Sequence, residues 1–494
     1  MRAFEVFAGA ARARLTEPAV EHGGRGLTFG DLLHAAGAVA GLAHQAGARP
    51  GDLVGLLLPR DFRLPAAMFA SLRLGTTFVP LSDQYPPERL ESLIQRYGIR
   101  LVLTSPELAP RLPAQAARVE LARPTSFGDV PPPAPPAGEA PPYVIFTSGS
   151  MGEPKGVVIR ESSLLNLISW TAERYSPGER RAVLASTPIT FDLSIFEIVA
   201  TLACGGRIVL VGSALDLLSG PGELDVSLIN TVPSAARELV RFRRFPRATR
   251  VVNLAGEALH QDLVDAIHEA APQVEKVYNL YGPSEDTTYS TEHLARRGAR
   301  AGAVPIGRPL PGKRAHLLDE RLMPVPPGSP GEVCLSGEGL AAGYLGDPEL
   351  TARKFVTAPE GPLRGERLYR TGDLASADEG GALTYLGRID RQIKVRGVRI
   401  EPGEIECALR GIAGVNDAAV SKVSDMHGND QLLAFVVHRD GNGATERLMS
   451  ALRAKLPEFM LPSRIEYLPS IPLTSNGKVD HQRLQAMSHE LVAR

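Results

Sequence analysis

Apolar and polar positions alternate along this chain with the rhythm of an α/β protein. The runs "RIVLVG" (207–212), "VSLINTV" (226–232), "RVVNLA" (250–255) and "KVYNLYG" (276–282) are short, apolar and partly β-branched. Between them lie amphipathic or alanine-rich stretches such as "PSAARELVRF" and "QDLVDAIHEA". Strands that are apolar on both faces and separated by helices predict a buried, largely parallel sheet. No repeat of fixed period interrupts the pattern. The proline-rich stretch 124–142 reads as an extended surface connection inside the same domain.

The pattern changes near "YLGRIDRQIKVRGVRIEPGEIE" (385–406), where charges crowd beside a strand-like alternation. The segment after it predicts a helix over 404–411, strands over 417–423 and 432–438, a helix over 444–456 and a turn-rich end. The expected organisation is a large N-terminal α/β domain over 1–389 and a small α+β domain over 390–494, with a hinge at Asp390.

Composition narrows the function classes. The chain has 494 residues, 44% hydrophobic and 22% charged, so it can bury a large core. A net charge of −1 gives no global attraction to nucleic acid or to an anionic membrane. Cys204, Cys334 and Cys407 lie far apart, without the spacing of a disulfide framework or a zinc site. The opening "MRAFEVFAGAARARL" places arginines where a signal peptide needs an unbroken apolar core. No apolar run approaches the roughly 20 residues of a membrane span. A cytoplasmic protein is expected.

Several segments carry candidate chemistry. In "YVIFTSGSMGEPKGVVI" (143–159), Thr147, Ser148 and Ser150 offer hydroxyls, Gly149 and Gly152 permit close backbone approach, and Lys155 adds charge. A phosphate cradle and a plain Gly/Ser hairpin are both compatible with those glycines; the flanking strands and the lysine favour the cradle. In "TPITFDLSIFEIVATLACGG" (187–206), Asp192 precedes a helical run, with Phe196 one turn on along the same face. Asp192 suits either an N-cap, worth about 1 kcal/mol, or a carboxylate facing a substrate cation. In "NLYGPSEDTTYS" (279–290), Tyr281 could stack on a base and Glu285 could hold Mg2+, which favours carboxylates and substrate phosphates. A capped turn is the plainer reading. Asp373 in "YRTGDL" suits ribose hydroxyls or ordinary turn chemistry. Lys478 in "PLTSNGKVD" sits in an Asn-Gly turn, where a lysine is ordinarily a solvated charge. The arginines of 241–250 read as a solvated helix end, with carrier docking as the alternative.

In order, "GLTFGDLL", "LRLGTTFVPLS", "FTSGSMGEPKG", "FDLS", "NLYGPSEDTT", "GEVCLSGEGLAAGYL", "YRTGDL", "GRIDRQIKVRGVRIE" and "NGKVD" span nearly the whole chain. Together they resemble the adenylation domains of nonribosomal peptide synthesis, within the acyl-adenylate-forming superfamily. The resemblance implies ATP and Mg2+ as cofactors. It implies that the loop from Thr147 to Lys155 cradles the β- and γ-phosphates. Tyr281 would stack on adenine near Asn279, Gly256 and Gly282, and Asp373 with Arg388 would bind the ribose. Glu285 would hold the metal. Lys478 would reach the substrate carboxylate and the α-phosphate, and the small domain would then rotate about Asp390 to let a carrier's phosphopantetheine thiol take the aminoacyl group.

The family position matched by Asp192 pairs with an α-ammonium, which implies an amino-acid substrate. The implied pocket walls are Leu193, Phe196, Thr231, Asn253, Ala255, Leu280, Thr288 and Tyr289, with Phe196, Leu280 and Tyr289 filling the floor. This lining resembles that of alanine-activating members, with glycine or serine next and handedness open. Met151 departs from the family, which usually has threonine there; methionine offers phosphate no hydroxyl. Lys478 lies 16 residues from the end (494 − 478), so the expected carrier is loaded in trans. A small accessory protein is left open. The rival readings are a D-alanine–carrier ligase of cell-wall modification, an acyl-CoA synthetase and a non-catalytic binding protein.

Overall fold

Six short strands lie side by side in parallel: Pro18–His22, Arg207–Leu210, Ala182–Ala185, Leu228–Thr231, Val251–Ala255 and Lys276–Tyr281. Antiparallel strands complete a nine-stranded sheet: Arg25–Thr28 at one edge, Thr291–Ala295 and then Arg308–Pro309 at the other. The helices Pro233–Phe242 and Gln261–Ala270 fall between strands, as the sequence pattern predicts. The central strands are buried throughout, which accounts for their continuous apolar runs. The mixed α/β fold class is borne out.

The computed structural model describes residues 1–122, 140–149, 153–219, 224–395, 397–424, 430–439, 445–473 and 479–492. Most of the proline-rich stretch therefore lies outside the described residues, as do Ser150, Met151, Gly152 and Lys478.

The chain divides into two units. The first comprises Met1–Asp83, Ile94–Ile145 and Gly156–Ile389; the second comprises Gln84–Leu93, Phe146–Lys155 and Asp390–Arg494. A cut at 389/390 alone would leave Gln84–Leu93 and Phe146–Lys155 in the large domain; here both group with the C-terminal residues. The first unit also holds a parallel sheet in the order Thr77–Pro80, Leu53–Leu57, Leu101–Thr104, Arg118–Glu120. A third, antiparallel sheet contains Lys313–Leu318, Gly331–Gly337, Arg367–Ala377 and Leu383–Arg388.

In the second unit the alternating "RQIKVRGVRI" forms a hairpin of Ile393–Val395 and Val398–Ile400. Helices Pro402–Arg410 and Thr445–Lys455 and strands Val415–Ser424 and Asp430–His438 follow the expected order. The end is more regular than a turn-rich tail. Arg464–Tyr467 adds a parallel strand, and His481–Val492 is a helix. That helix is specified by Leu484, Met487 and Leu491, spaced to share one face, which pack with Ala419, Leu433 and Phe435.

Candidate active site

In an open α/β sheet the carboxyl ends of parallel strands face the ligand crevice. Thr231, Ala255 and Tyr281 each end their strand, and register sets Asn253 opposite Tyr278, Leu254 opposite Asn279 and Ala255 opposite Leu280. All of these are buried. The strand order thus brings residues from three separate segments to the carboxyl end of one sheet.

At that end Tyr281 Oη donates to Asp373 Oδ2 at 2.6 Å, and Arg388 Nη1 meets Asp373 Oδ1 at 2.5 Å. Asp373 and Arg388 are register partners on adjacent antiparallel strands, which fixes the ion pair. Burial, with the Asp373 charge beside it, pushes the Tyr281 phenol well above its usual range, so it remains a donor. Asn279 Nδ2 donates to the Val304 and Pro305 carbonyls at 3.2 and 2.9 Å. Gly256 has φ 85°, and a Cβ on Gly282 would lie 2.6 Å from the Thr288 carbonyl oxygen; neither position readily accepts a side chain. Glu285 is buried and accepts from Tyr344 Oη at 2.7 Å. A single carboxylate completed by substrate phosphates suits Mg2+. Among the described residues no group of three or more His, Cys, Asp or Glu could hold a metal alone.

A second cluster forms around Phe196. Phe196 and Tyr289 are fully buried with ring centroids 5.6 Å apart, and Trp170 sits 5.9 and 5.5 Å from them. Tyr175 completes the set, 5.8 Å from Phe196, and its hydroxyl accepts from Asn253 Nδ2 at 2.9 Å. Tyr289 Oη donates to Asn230 Oδ1 at 2.7 Å, and Asn230 Nδ2 donates to Glu197 Oε1 at 3.1 Å. Glu197 also accepts from the backbone N–H groups of Ser186 and Thr187, both at 2.9 Å, and lies 3.7 Å from Arg60. Burial pushes the Glu197 carboxyl up, opposed by Arg60 and by the Thr187 donors. Leu193 packs partly buried against the core, and Leu280 is buried.

Sequence reading misses Trp170, Tyr175, Asn230, Glu197 and Arg60. Charge inside the apolar run "IFEIVA" was the available signal for Glu197; Asn230 and Arg60 lie too far from it along the chain to be legible. The run itself is a π-helix over Ile195–Ala200, a wide turn that a 3.6-residue period does not predict and that often occurs at functional sites. Leu193 and Ser194 are helical ahead of it, so Asp192 immediately precedes the first helical residue, and its carbonyl accepts from Ile195 N at 2.9 Å.

Thr288 Oγ1 donates to the Asp192 carbonyl at 3.1 Å, joining two expected pocket walls. Thr287 and Thr288 have φ 54° and 70°. Left-handed backbone in a β-branched residue costs on the order of 1–3 kcal/mol and persists only where the surroundings enforce it.

The expected phosphate-loop residues Thr147, Ser148, Gly149 and Lys155 belong to the second unit. There Ser148 Oγ donates to the Arg399 carbonyl at 2.8 Å and accepts from Glu401 N at 3.1 Å. Gly149 N donates to Glu404 Oε2 at 3.3 Å, Lys155 Nζ meets Glu401 Oε1 at 3.2 Å, and Arg89 Nη1 meets Glu404 Oε1 at 2.9 Å. Burial pushes the Glu404 carboxyl up, against the Arg89 charge. A Cβ on Gly149 would lie 1.9 Å from the Glu153 carbonyl oxygen, so only glycine fits. Thr147 ends its strand half-buried, and Asp390 Oδ1 accepts from Gln392 N at 3.2 Å.

Residues 7–345 match the family described as AMP-binding enzyme, and residues 404–478 match the AMP-binding enzyme C-terminal domain. The chain belongs to the AMP-binding enzyme family. This AMP-binding enzyme is an adenylate-forming ligase, similar to the adenylation modules of nonribosomal peptide synthetases. It is 44% identical over 464 residues to a linear gramicidin synthase of Brevibacillus parabrevis, covering 93% of the chain and 9% of that protein. It is 38% identical over 489 residues to the AMB antimetabolite synthetase AmbB of Pseudomonas aeruginosa, covering 97% of the chain and 38% of that protein. The chain thus spans well under half the length of these relatives. Among solved structures it resembles a nonribosomal peptide synthetase protein containing adenylation and PCP domains, bound to a vinylsulfonamide inhibitor. That match has a TM-score of 0.85 and 26% identity, over 98% of this chain and 84% of the other. An artificially fused adenylation–PCP di-domain from Klebsiella oxytoca shares the fold, with a TM-score of 0.82 and 24% identity over 94% and 93% of the two chains. Among the described residues, no helix is long and apolar enough to cross a membrane.

Proposed function

We propose that this chain activates a small amino acid, alanine first, as its aminoacyl-adenylate. It then passes the aminoacyl group to the phosphopantetheine thiol of a carrier protein. The observation that carries the substrate class is the joining of Asp192 to Thr288 beside the aromatic floor of Phe196 and Tyr289. A carboxylate suits an α-ammonium, and large rings beside it would restrict the substrate to a small side chain. Similarity to structures joining adenylation and PCP domains supports the carrier as acceptor. A reaction that consumes ATP fits a cytoplasmic enzyme.

In the first half-reaction the substrate carboxylate attacks the α-phosphorus and pyrophosphate leaves. Both reactants are anions, so the chain must supply positioned donors and cations in a dry site. Ser148, Gly149, Ser150, Gly152 and Lys155 are the proposed phosphate donors, and Lys478 the proposed cation at the reacting carboxylate. Tyr281, with Asn279, Gly256 and Gly282, would shape the adenine site, and the Asp373–Arg388 pair would orient the ribose. Mg2+, held by Glu285 and phosphate oxygens, would neutralise phosphate charge. In the second half-reaction the thiol attacks the acyl carbon, its proton is lost and AMP leaves.

The acceptor is tested by incubating the protein with ATP, alanine and separate holo-carriers and weighing the carriers by mass spectrometry. One added alanyl group supports the reading. Efficient alanyl-coenzyme A formation with no carrier loaded would assign the chain to the acyl-CoA synthetase branch. Loading only of a wall-polymer carrier would assign it to cell-wall modification.

Met151→Thr restores a hydroxyl in the phosphate loop. It is expected to lower the KM for ATP and leave amino-acid preference unchanged, as checked by steady-state kinetics. An altered amino-acid profile would show that residue 151 faces the amino acid and not the phosphates.

A further inference from the structure

Lys313 is a buried lysine that none of the adenylation roles above uses. Its side chain is 1% exposed and that of Asp286 is 0% exposed, with Nζ 3.5 Å from Asp286 Oδ2. The nearer partners of the ammonium are backbone carbonyls: Asp286 O at 2.5 Å, Tyr289 O at 2.6 Å and Thr287 O at 3.4 Å. An ammonium has three N–H donors and no acceptor, so three converging carbonyls match its capacity. Those carbonyls bracket the two left-handed threonines of the 286–289 turn.

The surroundings are built around this contact. A Cβ on Gly339 would lie 2.4 Å from Asp286 Oδ1 and from both Cε and Nζ of Lys313, so the glycine makes room for the pair. Thr287 Oγ1 donates to the Gly339 carbonyl at 2.8 Å, and Ser290 N donates to the Tyr281 carbonyl at 2.7 Å. Burial pulls the Lys313 pKa down, while the charges of Asp286 and Asp192 oppose it. An ion pair serving stability alone could be replaced by apolar side chains at little cost. Here the cation also satisfies carbonyls that a strained turn exposes, and the turn carries the side chains of Thr288 and Tyr289.

We infer that Lys313 is a positioning residue for amino-acid selection: its ammonium fixes the Asp286–Tyr289 turn and thereby sets Thr288 against Asp192 and Tyr289 against Phe196. The inference rests on reading those residues as the amino-acid pocket.

Lys313→Met keeps length and volume and removes the donors; Lys313→Gln keeps two donors on a shorter chain. Hydrogen exchange of the full chain, followed by mass spectrometry, should show loss of amide protection confined to peptides covering 286–290 in Lys313→Met. In ATP–pyrophosphate exchange the KM for alanine should rise about 100-fold, the cost of an ångström-scale misplacement. The KM for ATP should be unchanged, and Lys313→Gln should fall between wild type and Lys313→Met. An unchanged alanine KM, or equal rises for alanine and ATP, overturns the inference. So does failure of both variants to fold, which would make Lys313 a folding residue only. If the wild-type protein supports no amino-acid-dependent exchange, the adenylation reading falls, while the amide data still decide whether Lys313 holds the turn.

Discussion

Lys478→Ala is expected to lower adenylate formation about 100- to 1,000-fold, the range for removing one preorganised donor from a developing charge. Lys478 lies outside the described residues, and its assignment comes from the match of "NGKVD" to the family. The alternative for a lysine in an Asn-Gly turn is a solvated charge, whose removal would change little. The two half-reactions separate the roles further. Transfer from chemically supplied aminoacyl-adenylate should survive far better than adenylation in the variant, since the lysine serves the first step. Pyrophosphate exchange and single-turnover transfer, with a melting curve to show the fold intact, make the comparison. Equal loss in both steps would contradict a role confined to adenylation.

Asp192→Asn has the second large effect. An N-cap role predicts a stability loss of about 1 kcal/mol and little else. Leu193 and Ser194 are already helical ahead of Ile195, so Asp192 stands at the cap position, and a melting curve read beside the exchange assay separates the two roles. Its main-chain carbonyl also accepts from Thr288 Oγ1, and the residue is half-buried. Truncating one member of a desolvated charge pair costs about 2–5 kcal/mol, or roughly 30- to several-thousand-fold in kcat/KM for the amino acid. ATP binding should be retained. Near-normal exchange in Asp192→Asn would remove the argument for an amino-acid substrate.

Much of this protein is legible in one dimension because its strands and helices are set by local periodicity. "RVVNLA" is a strand and "QDLVDAIHEA" a helix for reasons contained within about ten residues. The candidate site is only half legible in this way. Tyr281 and Asp373 can each be named from a motif, but their 2.6 Å bond joins positions 92 apart and depends on two different sheets. Glu197, Asn230 and Arg60 carry no motif; they come from a π-helix, a central strand and a bend far apart in sequence and meet only in the fold. Lys313 reads as one more charge in "PGKRAHLL" until the three carbonyls around it are seen. The final helix escaped because its apolar positions are few and follow a turn signal, and its burial comes from strands far earlier in the chain. The grouping of Phe146–Lys155 with the C-terminal residues reflects contacts such as Lys155–Glu401, which no local pattern encodes.

The central claim is adenylation of a small amino acid, and ATP–pyrophosphate exchange across all proteinogenic amino acids in both configurations tests it most directly. The account predicts exchange that depends on alanine, with lesser signals from glycine and serine. A hydrophobic pocket separates neighbours differing by one methylene by only about 1–3 kcal/mol. Exchange driven by fatty or aryl acids and by no amino acid would contradict it.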